Sequence, residues 1–164
     1  MNSIDLIRQN LRRSEEIVLA RIEDMRGHGF VPPTTRDGGH TVWVLGHLAY
    51  IEGLVVEEIM QGRTNPRAEW ESVFDGADVP ADDRFPSFDE ALSACRTSRA
   101  STLSTLEELT EDDLDRLSMR VPKGAEALFG TYRSCLQYAS DHWLMHRGQL
   151  ADSRRAAGLE RGWY

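Results

Sequence analysis

The order of apolar and polar positions divides the chain into four long amphipathic stretches separated by segments rich in turn formers. Ile4, Ile7, Leu11, Val18, Ile22 and Met25 recur at steps of three, four or seven, the repeat that lines one face of a helix, and "RGHG" then supplies a stop. The stretch "FVPPTTRDGGH", residues 30–40, is dense in Pro, Gly and Thr and reads as a loop. From about Thr41 to Gln61 two adjoining stripes predict a second helix: Trp43, His47, Tyr50 and Leu54 in one, Val44, Leu48, Ile51, Val55 and Ile59 in the other. So wide an apolar face requires deep burial. Residues 62–86 lose the pattern and are expected to form a long ordered loop over one end of the fold, with Trp70 and Phe74 packing back.

Ser87 followed three residues later by Glu90 has the form of a capping box, and Phe88, Leu92, Cys95, Thr102, Leu103, Leu106 and Leu109 continue the third helix in register. "TEDDLDRL", residues 110–117, reads as a short helical turn. "SMRVPKGAEALFG", residues 118–130, reads as a hairpin or an irregular crossover. A fourth helix is expected from about Thr131 to Ala157, stopped by Gly158. With no alternating strand pattern and no internal repeat, the expected fold is all-α: one domain, residues 1–164, folded as a four-helix bundle. The long link between helices two and three permits a crossover that leaves those two parallel.

Charge narrows the partners. With 19 basic against 27 acidic residues the formal net charge is -8, which repels phosphate backbones and anionic lipid surfaces, so neither nucleic acid nor a membrane is expected as a partner. The two cysteines, Cys95 and Cys135, lie in helical patterns far apart and read as buried thiols of a reducing compartment. No apolar block resembles a signal-peptide core or a membrane span, and a cytoplasmic location is expected.

The chemistry concentrates on "SDHWLMHRGQL", residues 140–150. The inward stripe of helix four reads Leu128, Tyr132, Cys135, Ala139, His142, His146, Gln149 and Ser153, so two imidazoles four residues apart share the face meant for the core. Buried neutral histidines with one hydrogen bond are common, and a plain bundle with satisfied core histidines is one reading. Helix two, however, carries His47 in the same situation, and burying three unpaired imidazoles would cost about 1 to 3 kcal/mol for each unsatisfied group. A divalent cation bound by His47, His142 and His146 removes that cost. Three neutral nitrogen ligands without a carboxylate at matching spacing favour a transition metal, zinc first, with nickel, iron or manganese as alternatives. Three protein ligands also leave room for a guest. His40 lies two turns before His47, too far to share the ion, and with His28 is expected in a loop or on the surface. Cys135 is expected as a packing residue, and Gln149 as a candidate to orient a ligand. No ExxH, HExxH, P-loop, GxGxxG or GxSxG pattern occurs.

"HTVWVLGHLAYIEG", residues 40–53, and "DHWLMHRGQLADSRRAAGL", residues 141–159, resemble the two signature helices of the DinB-like metalloenzyme superfamily. The resemblance assigns His47, His142 and His146 as the metal triad and implies a four-helix bundle with up-down-down-up connectivity, commonly a homodimer. Relatives of this type include thiol-dependent S-transferases and isomerases that use bacillithiol, mycothiol or glutathione. The expected function is therefore a metal-dependent enzyme that activates a low-molecular-weight thiol for transfer to a small electrophile. A metal-dependent hydrolase and a non-enzymatic metal- or small-molecule-binding module are the alternatives. For a hydrolase the nearest carboxylates, Glu52 and Asp141, are not expected to face the triad at a useful spacing.

Overall fold

The structure, a computed structural model, describes residues 2–34, 38–76 and 84–160. Helix α1 (Ser3–Leu19) starts where the Asn2 side chain accepts from the Asp5 backbone N–H, and it buries the expected Ile4, Ile7, Leu11 and Val18. It does not run unbroken to Met25. Arg21 takes a left-handed conformation at φ 60° and the chain continues as a 3-10 helix, Ile22–His28. The break is held from outside: the buried Arg154 guanidinium donates to the Arg21 carbonyl at 2.8 Å and pairs with Asp24 at 3.0 Å.

Helix α2 (Thr41–Gly53) is buried almost all round and passes into a π-helical segment, Leu54–Met60. Carbonyls at the end of that segment are taken by the crossover: Met119 and Arg120 N–H both donate to Ile59, at 3.0 and 2.9 Å. The link expected as a loop contains two short helical pieces, a 3-10 turn (Ala68–Trp70) and α3 (Glu71–Phe74), and Phe74 is fully buried as the sequence suggested. Residues 77–83 of that link lie outside the described residues.

Helix α4 (Phe88–Glu107) opens with the expected Ser87–Glu90 capping box. The acidic turn is a 3-10 helix, Asp112–Asp115, followed by the short α5 (Glu126–Phe129) and by α6 (Tyr132–Ala156), capped by Thr131. Leu128, expected on the inward stripe of the last helix, sits instead on α5 and is exposed, because Gly130 ends α5 before the Thr131 cap begins α6. From residue 117 to 125 the chain is an irregular crossover that leads into α5, and an isolated bridge joins Leu117 to Thr131.

Cross-helix bonds define the topology. Ala49, Glu52 and Glu57 meet Ser98, Arg99 and Ser101 in the same order, so α2 and α4 are parallel. The pairs Asn10–Gln137 and Arg21–Arg154 run α1 parallel to α6, whereas Trp43–His146 and His47–His142 run α2 antiparallel to α6. The bundle is up-down-down-up, with the long crossover between α2 and α4.

At its centre Arg99 is completely buried and touches every bundle helix. It donates to the Leu11 carbonyl and Ser14 hydroxyl of α1, to Glu52 of α2 and to the Ala139 carbonyl of α6, and its guanidinium lies 4.2 Å from the Trp143 ring. Arg99 Nε and Glu52 Oε1 are 2.9 Å apart, and the Trp143 indole N–H donates to the other Glu52 oxygen. Glu52 thus points into the core, and Arg99 and Trp143 occupy it. Removing only one partner strands a buried charge. Arg99→Met is expected to lose about 3 to 5 kcal/mol in urea unfolding, and the double variant Arg99→Met/Glu52→Leu less than that single change.

Candidate metal centre

Gly46 and Gly39 make room for the two groups that hold His47. A Cβ at Gly46 would lie 2.2 Å from the Phe74 ring, and one at Gly39 would lie 2.0 Å from the Trp43 ring. Phe74 packs into the first gap, which brings its backbone carbonyl to 2.6 Å from His47 Nδ1. Trp43 fills the second and stacks on the His47 ring at 4.6 Å and 11°. A carbonyl can only accept, so His47 carries its hydrogen on Nδ1 and turns the Nε2 lone pair inward.

His146 is set in the same way from α6. Its Nδ1 lies 2.7 Å from Gln149 Oε1, which again leaves Nε2 as the free lone pair. His142 completes the group, backed by the Tyr138 ring stacked on it at 5.4 Å and 13°. The three Nε2 atoms converge: His142 is 3.2 Å from His47 and 3.1 Å from His146, and all three ligand atoms lie within 4.8 Å of one another. His142 and His146 are buried, and His47 is partly exposed.

Two nitrogens each about 2.0–2.1 Å from one zinc ion lie roughly 2.9–3.4 Å apart at octahedral to tetrahedral angles, and the observed 3.1 and 3.2 Å fall within that span. A cation among the three Nε2 atoms would take up the lone pairs that His47 and His146 already aim at that point. Burial keeps the rings neutral, as ligands must be. It depresses His47 to about 4 despite the Phe74 hydrogen bond, and with the neighbouring imidazoles it depresses His142 to about 3; His146 is lowered too, again chiefly by burial. The donor set therefore fits a divalent transition metal.

Other candidates fall elsewhere. His40, expected on the surface or in a loop, is buried: its Nδ1 accepts the Trp43 backbone N–H and caps α2, and its ring packs on Phe30 and Phe85. Neither His40 nor His28 belongs to the cluster. Cys135 contacts Ser118 and the Phe129 carbonyl, and burial raises its thiol pKa, as it does more strongly for Cys95. Both thiols are poor nucleophiles. Asp141 is exposed and bonded to Gln137. The group that sequence reasoning missed is the Phe74 carbonyl, a main-chain atom with no residue-type signature.

A family model described as the DinB superfamily matches residues 10–150, a span that takes in the second half of α1, all of α2 and α4, and the three histidines. The chain belongs to the DinB superfamily. Neither the curated proteins nor the solved structures yield a significant match. Among the described residues of this DinB-superfamily protein no helix is long and apolar enough to cross a membrane.

Two outcomes follow for the metal-free protein. The histidines resist protonation when folded and titrate near 6.5 when unfolded, so their contribution to stability is full above about pH 6.5 and is lost progressively as pH falls toward 4. Urea midpoints across that range should show the decline, and His142→Asn should flatten it. Gly46→Ala should displace Phe74 and cost about 1 to 3 kcal/mol in the same assay.

Proposed function

We propose that the DinB-superfamily chain is a metal-dependent enzyme in which His47, His142 and His146 hold one divalent transition ion, zinc first, and which transfers a low-molecular-weight thiol to a small electrophile. The observation that carries this reading is the convergence of three Nε2 atoms, His142 lying 3.2 Å from His47 and 3.1 Å from His146, beside the partly exposed ring of His47. When bound, such an ion acts as a Lewis acid that lowers the pKa of a thiol sharing its coordination shell.

The protein's own groups prepare the site. The Phe74 carbonyl and Gln149 fix the proton on Nδ1 of two ligands, so that their Nε2 lone pairs are presented without reorganisation. Trp43 and Tyr138 close two sides with flat rings and hold the imidazoles in orientation. Three ligands from the protein leave positions for the thiol, and the partly exposed edge at His47 leaves a way in. A hydrolase would need a free base beside the triad. Glu52 is committed to Arg99 and Trp143, and Asp141 faces outward, so neither supplies one. The same reading carries the expectation of a cytoplasmic homodimer.

Elemental analysis of tag-free protein should find about one transition-metal equivalent per chain. Its removal by chelator should lower the melting temperature. Metal-loaded protein mixed with bacillithiol, mycothiol or glutathione and monochlorobimane should show turnover that His47→Ala lacks. Equal rates for the two proteins, or no metal, would defeat the proposal.

A further inference from the structure

The exposed positions of α6 are Asp141, Leu144, Met145, Gly148 and Arg155, whose steps of three, four and seven place them on one outward face. Leu144 is 42% exposed and Met145 67%, so this face sets two large apolar side chains in water. The outer face of α4, by contrast, exposes polar residues and Ala100. Nothing inside the chain requires a glycine at 148. Its φ is not in the left-handed region, and a Cβ there would meet no described atom within 4 Å, although glycine weakens the middle of a helix.

The face is complementary to itself. Gly148 lies seven residues after Asp141 and seven before Arg155, about 10.5 Å along the axis each way. Where two copies of α6 cross antiparallel at Gly148, each Asp141 comes beside the partner's Arg155, and Leu144 and Met145 lie over the partner's Gly148 and Ala151. A parallel pair would set like charges together at both ends. Both charged groups keep capacity for such a contact. Arg155 is half-exposed and gives one amino group to Asp152, and Asp141 gives one carboxylate oxygen to Gln137.

We infer that the outer face of α6 is the surface by which two copies of this chain pair, antiparallel and two-fold, with Gly148 at the crossing and an Asp141–Arg155 pair at each end. The inference rests on the homodimer that accompanies the functional reading and gives it a surface; it does not depend on the ion. The glycine lets the two backbones approach closely, and that approach takes Leu144 and Met145 out of water, which drives the association. The charged pairs at the ends fix its direction. The helix that carries two of the three ligands is then backed by a second copy of itself.

Sedimentation equilibrium of the full chain over roughly 1 to 100 μM should show monomer and dimer in exchange, as suits an interface at the small end of the specific ones. Gly148→Gln fills open space in the single chain but holds two helices apart, and it should raise the dimer dissociation constant at least about tenfold with helix content by circular dichroism unchanged. Asp141→Arg and Arg155→Glu should each weaken association as much, because each sets like charges together at both ends. An equimolar mixture of those two variants should recover wild-type association, which misfolding of either could not produce. A dimer that survives all three substitutions overturns this surface and leaves the homodimer standing. Weakening that mixing does not repair overturns the antiparallel register, and a wild type monomeric at about 100 μM overturns surface and homodimer together. Elemental analysis of the same samples decides the metal reading separately.

Discussion

One buried ion pair sets the frame on which everything else depends. Arg99 and Glu52 meet where four helices cross, and the guanidinium spends its remaining donors on carbonyls or a hydroxyl of α1 and α6. Such a pair is weak evidence for stability, since well-packed apolar residues of the same volume often do as well. Its effect is on geometry. The donors of Arg99 have partners in only one alignment of the helices, and a one-residue slip of any of them would leave a charge or a carbonyl unsatisfied in the core. Trp143, bonded to Glu52, sits beside His142 in the chain, so the alignment is passed directly to the ligands.

The site is then built outward from small absences. Gly46 lets the Phe74 ring come against α2 and Gly39 lets the Trp43 ring lie over the chain just before it, where a methyl group would not fit, and these residues bring the carbonyl and the stacking face that orient His47. Packing and electrostatics act together here. The burial that makes the rings hard to protonate also keeps their lone pairs available to a cation, so the fit to a metal and the loss of stability in acid come from one cause.

Much of this could be read from residue order. Apolar periodicity located the bundle helices, the spacing of Ser87 and Glu90 marked a true cap, and the positions of His47, His142 and His146 on core stripes pointed to one site. What escaped depends on partners distant in sequence. The break at Arg21 is held by Arg154, which nothing local announces. Arg99, within "CRTSRAS", looks like a solvated surface residue until the other three helices are placed around it. The burial of His40 in its loop has no local signal, because its cap role depends on the backbone turning at that residue, and Leu128 leaves the core because the periodicity runs through Gly130 although the helix does not.

The two oriented histidines differ in what secures them. His146 leans on an amide side chain, and one nucleotide change in the codon for Gln149 can take that acceptor away. His47 leans on a peptide oxygen, present whatever residue occupies position 74 so long as the chain still follows the same path. Inheritance can therefore retune one ligand by replacing its partner outright, while the other yields only to a change that shifts the backbone beneath it, as an added methyl at position 46 would.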